Sequence, residues 1–178
     1  MIDQTEQADI PEHTDATTEQ PGITEQPGTT AGTAEQMATA SLASQYEGTP
    51  YGLNEEAAAL DTRARHWMAE AGFEREMGTS MLSQIHRYEQ SRAGMPPLTE
   101  NDAQLAMRTS AATLRHLWGE DNFSEHMDLA RGLVQNIEAK RPGFTEYLAN
   151  SGLWNDPLFV SSLVFQAKRL LEAKGGQQ

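Results

Sequence analysis

The chain has 178 residues, no cysteine and a formal net charge of −13, so disulfides, thiolate metal sites and a cysteine nucleophile are excluded. The acidic balance disfavours free nucleic acid as a partner, because binding phosphate requires a basic surface. The start of the chain is polar, and its most apolar window, Pro157 to Ala167, is shorter than the ~20 residues of a membrane span, so we expect a soluble, cytoplasmic protein.

The acidic residues are concentrated in the first third of the chain. All 12 acids up to Asp61 precede Arg63, the first basic residue, so the net charge divides into −12 and −1. Residues 1–48 are mainly Thr, Glu, Gln, Ala, Pro and Gly, and TEQPG occurs twice. This composition buries too little apolar area to offset an ordering entropy of ~1 to 2 kcal/mol per residue. We therefore predict a disordered acidic arm over 1–48, which is either a solubilising tail or a charged arm that meets a basic partner surface.

Two helices are predicted in the next region, residues 49–97. Asn54 is a plausible N-cap. The first apolar stripe consists of Leu60, Ala64, Trp67, Met68 and Ala71. The second, looser stripe consists of Met77, Met81, Leu82, Ile85 and Tyr88. Gly72 and Gly78 either break the helices or only weaken them, and the sequence leaves both possibilities open.

Residues 98–178 form the third predicted region, which begins with the best helix start in the chain. Thr99 is the expected N-cap, and Leu98 is placed to pack against Ala103. The expected apolar face then consists of Ala103, Ala106, Met107, Leu114, Leu117 and Trp118. Gly119 is expected to end this helix.

The stretch from Asp121 to Val164 predicts a compact helical hairpin. One helical stripe is formed by Phe123, Met127, Ala130, Val134 and Ile137. Pro142 ends this helix, and the corner from Ser151 to Pro157 supplies a closing Gly, an Asp or Asn N-cap and a first-turn Pro. The sequence as a whole predicts an all-α fold of about five helical segments, with this hairpin at the C-terminus and the disordered arm in front.

Few residues suggest chemistry. His116 and Glu120 are four apart and could supply two metal ligands if the helix continued past Gly119, but no further ligand has suitable spacing. Glu120 and Asp121 with Asp128 could be paired carboxylates for acid–base chemistry. A structural role is favoured, because Glu120 and Asp121 lie in a turn where acids usually cap or charge the next helix. No phosphate-binding loop or nucleophile motif is present in the sequence. We expect no enzymatic activity, cofactor or metal.

Four residues are candidates for binding a partner. Trp67 and Trp118 are expected in the core, whereas Trp154, in the corner, is either a core residue or an exposed anchor for a partner's pocket. Near the chain end the basic residues are Lys168, Arg169 and Lys174. They either complement the dipole of the last helix or form a basic patch for an acidic surface.

Three short runs resemble the C-terminal part of a family of tailed-bacteriophage head proteins, the capsid-assembly scaffolding or virion structural proteins. The runs are Trp118 to Asp121, His126 to Arg131 and Gly152 to Pro157, within a resemblance that covers roughly residues 105–174. In that family a tryptophan and an acidic turn precede a helix, and a corner like that at Gly152 opens the final helix. Trp154 stands where the family usually has a small residue.

This resemblance implies a non-enzymatic scaffolding-type protein that binds the major capsid protein through its C-terminal helices, in proheads within the host cytoplasm. It also implies that basic residues of the final helix take part, and self-association is compatible with such a role. One alternative is a permanent minor head or internal virion protein. The other is a small helical adaptor or regulator unrelated to capsids.

Overall fold

The computed structural model describes residues 30–48 and 54–175, and all regular structure in these ranges is helical. The all-α fold class is therefore confirmed. The elements are α1 (Thr30–Gln45), α2 (Glu55–Glu70), α3 (Arg75–Arg92), α4 (Glu100–Trp118), α5 (Glu120–Lys140), α6 (Phe144–Ser151), a 3₁₀ turn (Leu153–Asn155) and α7 (Pro157–Gly175). None of the helices in this part of the chain is long and apolar enough to cross a membrane.

The predicted end of the disordered arm at Gly48 is wrong, and α1 is one of the two α-helices by which the described chain exceeds the expected number of about five. Residues 1–29 lie outside the described residues, but Thr30–Gln45 is helical and packs against α2. At its C-terminal end Ala43 and Tyr46 are buried. The Tyr46 hydroxyl donates a hydrogen bond of 2.7 Å to the carbonyl of Phe73. Two well-placed side chains thus attach a segment whose average composition is that of a disordered chain.

The two glycines that the sequence left ambiguous have different roles. Gly72 has a φ of +66° and lies in the turn after α2, so it separates α2 from α3. Gly78 lies inside α3, where a Cβ atom would overlap the Tyr46 ring. Gly78 is therefore the position at which α3 admits the aromatic side chain that follows α1.

A buried ionic cluster holds the end of α1 against α2 and α3. Arg65 Nε donates to Asp61 Oδ2 at 2.7 Å, and the Arg65 guanidinium also donates to the carbonyls of Tyr46 and Gly48. His86 Nε2 lies 2.9 Å from Asp61 Oδ1. When Nε2 carries the hydrogen, it donates a hydrogen bond to this carboxylate oxygen. Burial lowers the pKa of His86, and the neighbouring Asp61 carboxylate opposes this shift only in part.

The predicted helix starts are confirmed at atomic detail. The amide of Ala57 donates to Asn54 Oδ1 at 2.8 Å, which caps α2. The amide of Asp102 donates to Thr99 Oγ1 at 3.2 Å, which caps α4. An N-cap of this kind contributes about 1 kcal/mol by satisfying an amide that has no helical partner.

One core runs through both halves of the described chain. The helix α2 packs between α1 and α3, whereas α5 packs along α7 and against α4. Trp67 of α2 joins the halves, because its ring lies 5.0 Å from that of Phe144 and 5.5 Å from that of Tyr147. Burying a large apolar side chain completely stabilises the fold by ~1.5 to 3 kcal/mol.

The predicted division at 97/98 falls in the connection between α3 and α4.

The predicted apolar face of α4 is the main exception to the expected burial. Of its 19 residues only Ser110 and Leu114 are buried. Met107 and Leu117, which belong to the predicted face, are 56% and 59% exposed. The helix lies at the edge of the bundle and contacts only α5, α7 and the 3₁₀ turn extensively, so too little of the fold lies against it to cover this face.

Candidate partner-binding surfaces

The corner between α6 and α7 has the predicted construction. Gly152 adopts a φ of +82° and donates its amide to the Leu148 carbonyl at 3.2 Å, which ends α6. Asp156 Oδ1 accepts the amides of Leu158 and Phe159 at 2.8 and 3.0 Å, which caps α7 just before its first-turn proline. Gly152 is also required for space, because a Cβ atom there would lie 3.0 Å from the Tyr88 hydroxyl.

Trp154 lies in this corner as the wall of a groove, partly buried against the core. We call this groove, which opens between α5 and α6, the Trp154 groove. Its volume is about 390 Å³, and it is lined by Arg131, Val134, Gln135, Thr145, Leu148, Ala149, Gly152, Trp154 and Asn155. The side chain thus helps to form a concave surface, whereas the sequence suggested either a core residue or a projecting anchor.

Lys168 is engaged within the chain. Its Nζ lies 2.6 Å from His126 Nε2, which connects α7 to α5. Burial, followed by the charge of Lys168, lowers the pKa of His126, so the neutral imidazole accepts a hydrogen bond from the ammonium. The His126 ring also packs edge-on against Trp118, with ring centroids 4.9 Å apart. Using Lys168 to bind a partner would require breaking this contact.

Arg169 and Lys174 face other surroundings. Arg169 pairs with Glu74, next to the start of α3, at 2.5 Å. Lys174 is exposed in the last turn of α7 and has no ion-pair partner among the residues that the structure describes. Successive helical residues are rotated by roughly 100°, so Lys168, Arg169 and Lys174 point in three different directions. The structure does not bring these basic residues together with one another or with Trp154.

A second groove lies between α5 and α7, and Lys174 is at its end. We call it the α5–α7 groove. It has a volume of about 740 Å³ and is lined by Asp121, Ser124, Glu125, Asp128, Leu129, Gly132, Leu133, Asn136, Ala167, Leu170, Leu171 and Lys174. Its floor is apolar, and one rim carries the three carboxylates of α5.

The residues considered as metal ligands lie on different helices. Gly119, with a φ of +81°, ends α4, so His116 belongs to α4 and Glu120 begins α5. Glu120 Oε1 accepts a hydrogen bond from Arg115 Nε at 3.1 Å. Within residues 30–48 and 54–175, no group of three or more His, Cys, Asp or Glu residues is arranged to hold a metal ion.

Two polar residues that sequence reasoning missed hold these surfaces in place. Gln166 is 1% exposed, and its Nε2 donates to the carbonyls of Ala71 and Gly72 at 2.8 Å each, which ties α7 to the end of α2. Glu138 accepts the amides of Gly143 and Thr145 at 2.9 and 2.8 Å, so a side chain of α5 caps α6. These hydrogen bonds lower the pKa of the Glu138 carboxyl. In the sequence, the position of Gln166 within an apolar stretch gave a signal for its role, whereas nothing pointed to the role of Glu138.

Comparison with protein families, with curated proteins and with solved structures finds no match for this chain.

Proposed function

We propose that this chain is a non-enzymatic assembly protein of the scaffolding type from a tailed bacteriophage or prophage. In this proposal the helices α4 to α7 bind the major capsid protein while proheads assemble in the host cytoplasm. The observation that carries the proposal is the resemblance over residues 105–174, with its three runs at Trp118 to Asp121, His126 to Arg131 and Gly152 to Pro157. These runs lie at the α4–α5 connection, on α5 and at the corner before α7.

Exposed apolar side chains on α4 and α7 support a binding role for this region. Large apolar side chains that are more than half exposed occur at Leu105, Met107, Leu117, Leu158, Phe165 and Leu171. Exposed apolar surface favours association with a partner, because binding removes it from water. Many weak contacts of this kind suit a scaffold, since multivalent binding gives avidity while each contact remains easy to break.

The Trp154 groove is the surface on which we place the first contact. It lies in the resembling corner, and its floor includes the apolar side chains of Val134 and Leu148. Arg131 also lines this groove, but it pairs with Asp128 at 2.8 Å. Lys168 and Arg169 have intramolecular partners, so a contribution from them to capsid binding is not part of the proposal. Lys174 remains an additional candidate, because it is exposed and unpaired in the described part of the chain.

The test is co-sedimentation of the full chain with assembling subunits of the major capsid protein encoded nearest to its gene. Ala149→Arg places a long side chain in the Trp154 groove from an exposed position of α6 and is expected to reduce co-sedimentation at least about tenfold, equivalent to about 1.4 kcal/mol. Ala59→Arg, at an exposed position of α2, is the matched control and should leave co-sedimentation unchanged. Absence of co-sedimentation by the unmodified chain would contradict the proposal and favour a helical adaptor.

Mass spectrometry then distinguishes a scaffold from a permanent virion component. A scaffolding protein should be abundant in proheads and absent or proteolysed in mature virions. A minor head or internal protein should be present in both particles at the same ratio to the capsid protein.

A further inference from the structure

The α5–α7 groove combines an acidic rim with an apolar floor, part of which belongs to the core of the fold. Leu171, on the α7 side, is 56% exposed and lines the groove together with Leu129, Leu133 and Leu170. We infer that this groove is a docking site for a cationic amphipathic helix of a partner protein. The inference does not require that partner to be a capsid protein, so it stands separately from the proposed function.

The acidic rim is a continuous feature of one helix face. Asp121, Glu125 and Asp128 follow one another at steps of four and three, so their carboxylates lie along the same side of α5. Asp121 is favoured in the first turn by the helix dipole, but Glu125 and Asp128 lie beyond that turn.

Among the residues that the structure describes, one of these carboxylates has an ion-pair partner. Asp128 pairs with Arg131 at 2.8 Å, whereas neither Asp121 nor Glu125 has an ion-pair partner in the part of the chain that the structure describes. Like charges four residues apart destabilise a helix. Apart from the first-turn position of Asp121 and the pair of Asp128 with Arg131, the rim therefore does not stabilise α5. The negative charges of Asp121 and Glu125 are available to a cationic partner.

Gly132 provides the second, independent observation. It lies near the middle of the 21-residue helix α5 and on the wall of the groove. A Cβ atom at this position would meet nothing within 4 Å, so packing within the chain does not require a glycine there. Glycine weakens a helix interior, and its lack of a side chain allows another backbone or side chain to approach closely. A partner seated in the groove accounts for a glycine that the isolated fold does not need.

The shape of the groove favours a helical occupant. Its α5 wall runs from Asp121 to Asn136, which is roughly 22 Å at 1.5 Å per residue and matches about 15 residues of a partner helix. Leu129, Leu133 and Leu170 offer an apolar floor for anchors spaced along one helix face. Three carboxylates outnumber Lys174, the single cation among the lining residues, so lysine or arginine on the flank of the partner complements the rim.

The probes are two fluorescein-labelled 18-residue peptides that share one leucine stripe and carry either lysine or glutamate on the polar face. Fluorescence anisotropy with the full chain is expected to show saturable binding of the lysine peptide, weakened by raising the salt concentration, and no binding of the glutamate peptide. Gly132→Leu, which fills the groove wall, and the double variant Asp121→Asn with Glu125→Gln should each weaken binding at least tenfold. Circular dichroism should show that both variants retain the native helix content and melt at a temperature no lower than that of the unmodified chain.

Two matched controls separate the groove from general charge or surface effects. Ala139→Leu adds the same apolar side chain at an exposed position of α5 outside the groove. Glu56→Gln with Glu76→Gln removes two exposed acids from the first turns of α2 and α3. Both controls should bind the lysine peptide within twofold of the unmodified chain.

Three results would overturn the inference. These are equal affinity of the lysine peptide for the groove variants and the unmodified chain, no binding by the unmodified chain, and preference for the glutamate peptide. Sedimentation velocity tests a second copy as the occupant: a dimer that Gly132→Leu abolishes would assign the groove to self-association instead.

Discussion

The helices α2 and α4 both begin with a side-chain N-cap and both carry an apolar stripe, but the fold uses them differently. Seven of the 16 residues of α2 are buried, whereas α4 buries two of 19. The difference lies in their neighbours, since α2 packs between α1 and α3 and α4 lies at the edge. Local sequence therefore determines that a helix forms and which side is apolar, while the rest of the fold determines whether that side is covered.

The largest difference in stability is expected when one methionine of each helix is replaced by aspartate. Met68 of α2 is fully buried, whereas Met107 of α4 is 56% exposed. Met68→Asp places an unpaired charge in the core and should lower the free energy of unfolding by at least about 4 kcal/mol, whereas Met107→Asp should cost less than about 1 kcal/mol. Urea denaturation followed by circular dichroism measures both, and equal losses would contradict the assignment of α4 to the edge.

Removal of α1 should have the next largest effect. A chain that begins at Thr49 lacks Ala43 and Tyr46, together with the hydrogen bond from Tyr46 to Phe73. The expected loss is about 3 to 5 kcal/mol, because an aromatic side chain and a hydrogen bond are removed from the core. The control chain begins at Thr30 and keeps α1, and its urea midpoint should match that of the full chain. An unchanged midpoint for the shorter chain would restore the prediction that the arm extends to Gly48.

Two glycine substitutions test the same idea at single positions. Gly78→Ala forces the Tyr46 ring to move and should cost about 1 to 3 kcal/mol. Gly132→Ala meets no neighbouring atom and should raise stability by about 0.5 to 1 kcal/mol through helix propensity. The melting temperatures of both variants test this prediction. If both temperatures rise or both fall, the packing around α3 or α5 differs from that described.

The smallest expected effect is a dependence of stability on pH. Burial lowers the pKa of His86 in the folded chain, so the unfolded chain takes up this proton first as pH falls below about 6.5. The free energy of unfolding should therefore decrease between pH 7.5 and pH 5.5, and His126, whose pKa is also lowered, acts in the same direction. His86→Gln should reduce this decrease. A decrease of the same size in the variant would assign the dependence to other groups.

The features that could be predicted from the sequence are those with local causes. The N-caps at Asn54, Thr99 and Asp156 and the glycine that ends α6 depend on residues within a few positions, so their sequence patterns were sufficient. The helix α1 was missed because its attachment depends on Tyr46 meeting Gly78, two residues far apart in the chain.

The candidate site was less predictable for the same reason. Lys168 and Arg169 looked available for a partner, but their contacts with His126 and Glu74 span 42 and 95 residues of sequence. The apolar stripe of α4 predicted a buried face, and the sequence contained no information about which neighbours would cover it. Both grooves involve α5 and elements that follow it in the chain, so they became visible only when the helices were packed together.

Hydrogen exchange of the full chain with and without assembling capsid subunits tests the central claim most directly. If α4 to α7 form the binding region, their amides should exchange at least about tenfold more slowly in the presence of subunits, with the strongest effect around the Trp154 groove, while α1 to α3 change little. Protection confined to α1 to α3, or no protection under conditions in which the subunits assemble, would contradict the proposed assembly role of the C-terminal helices.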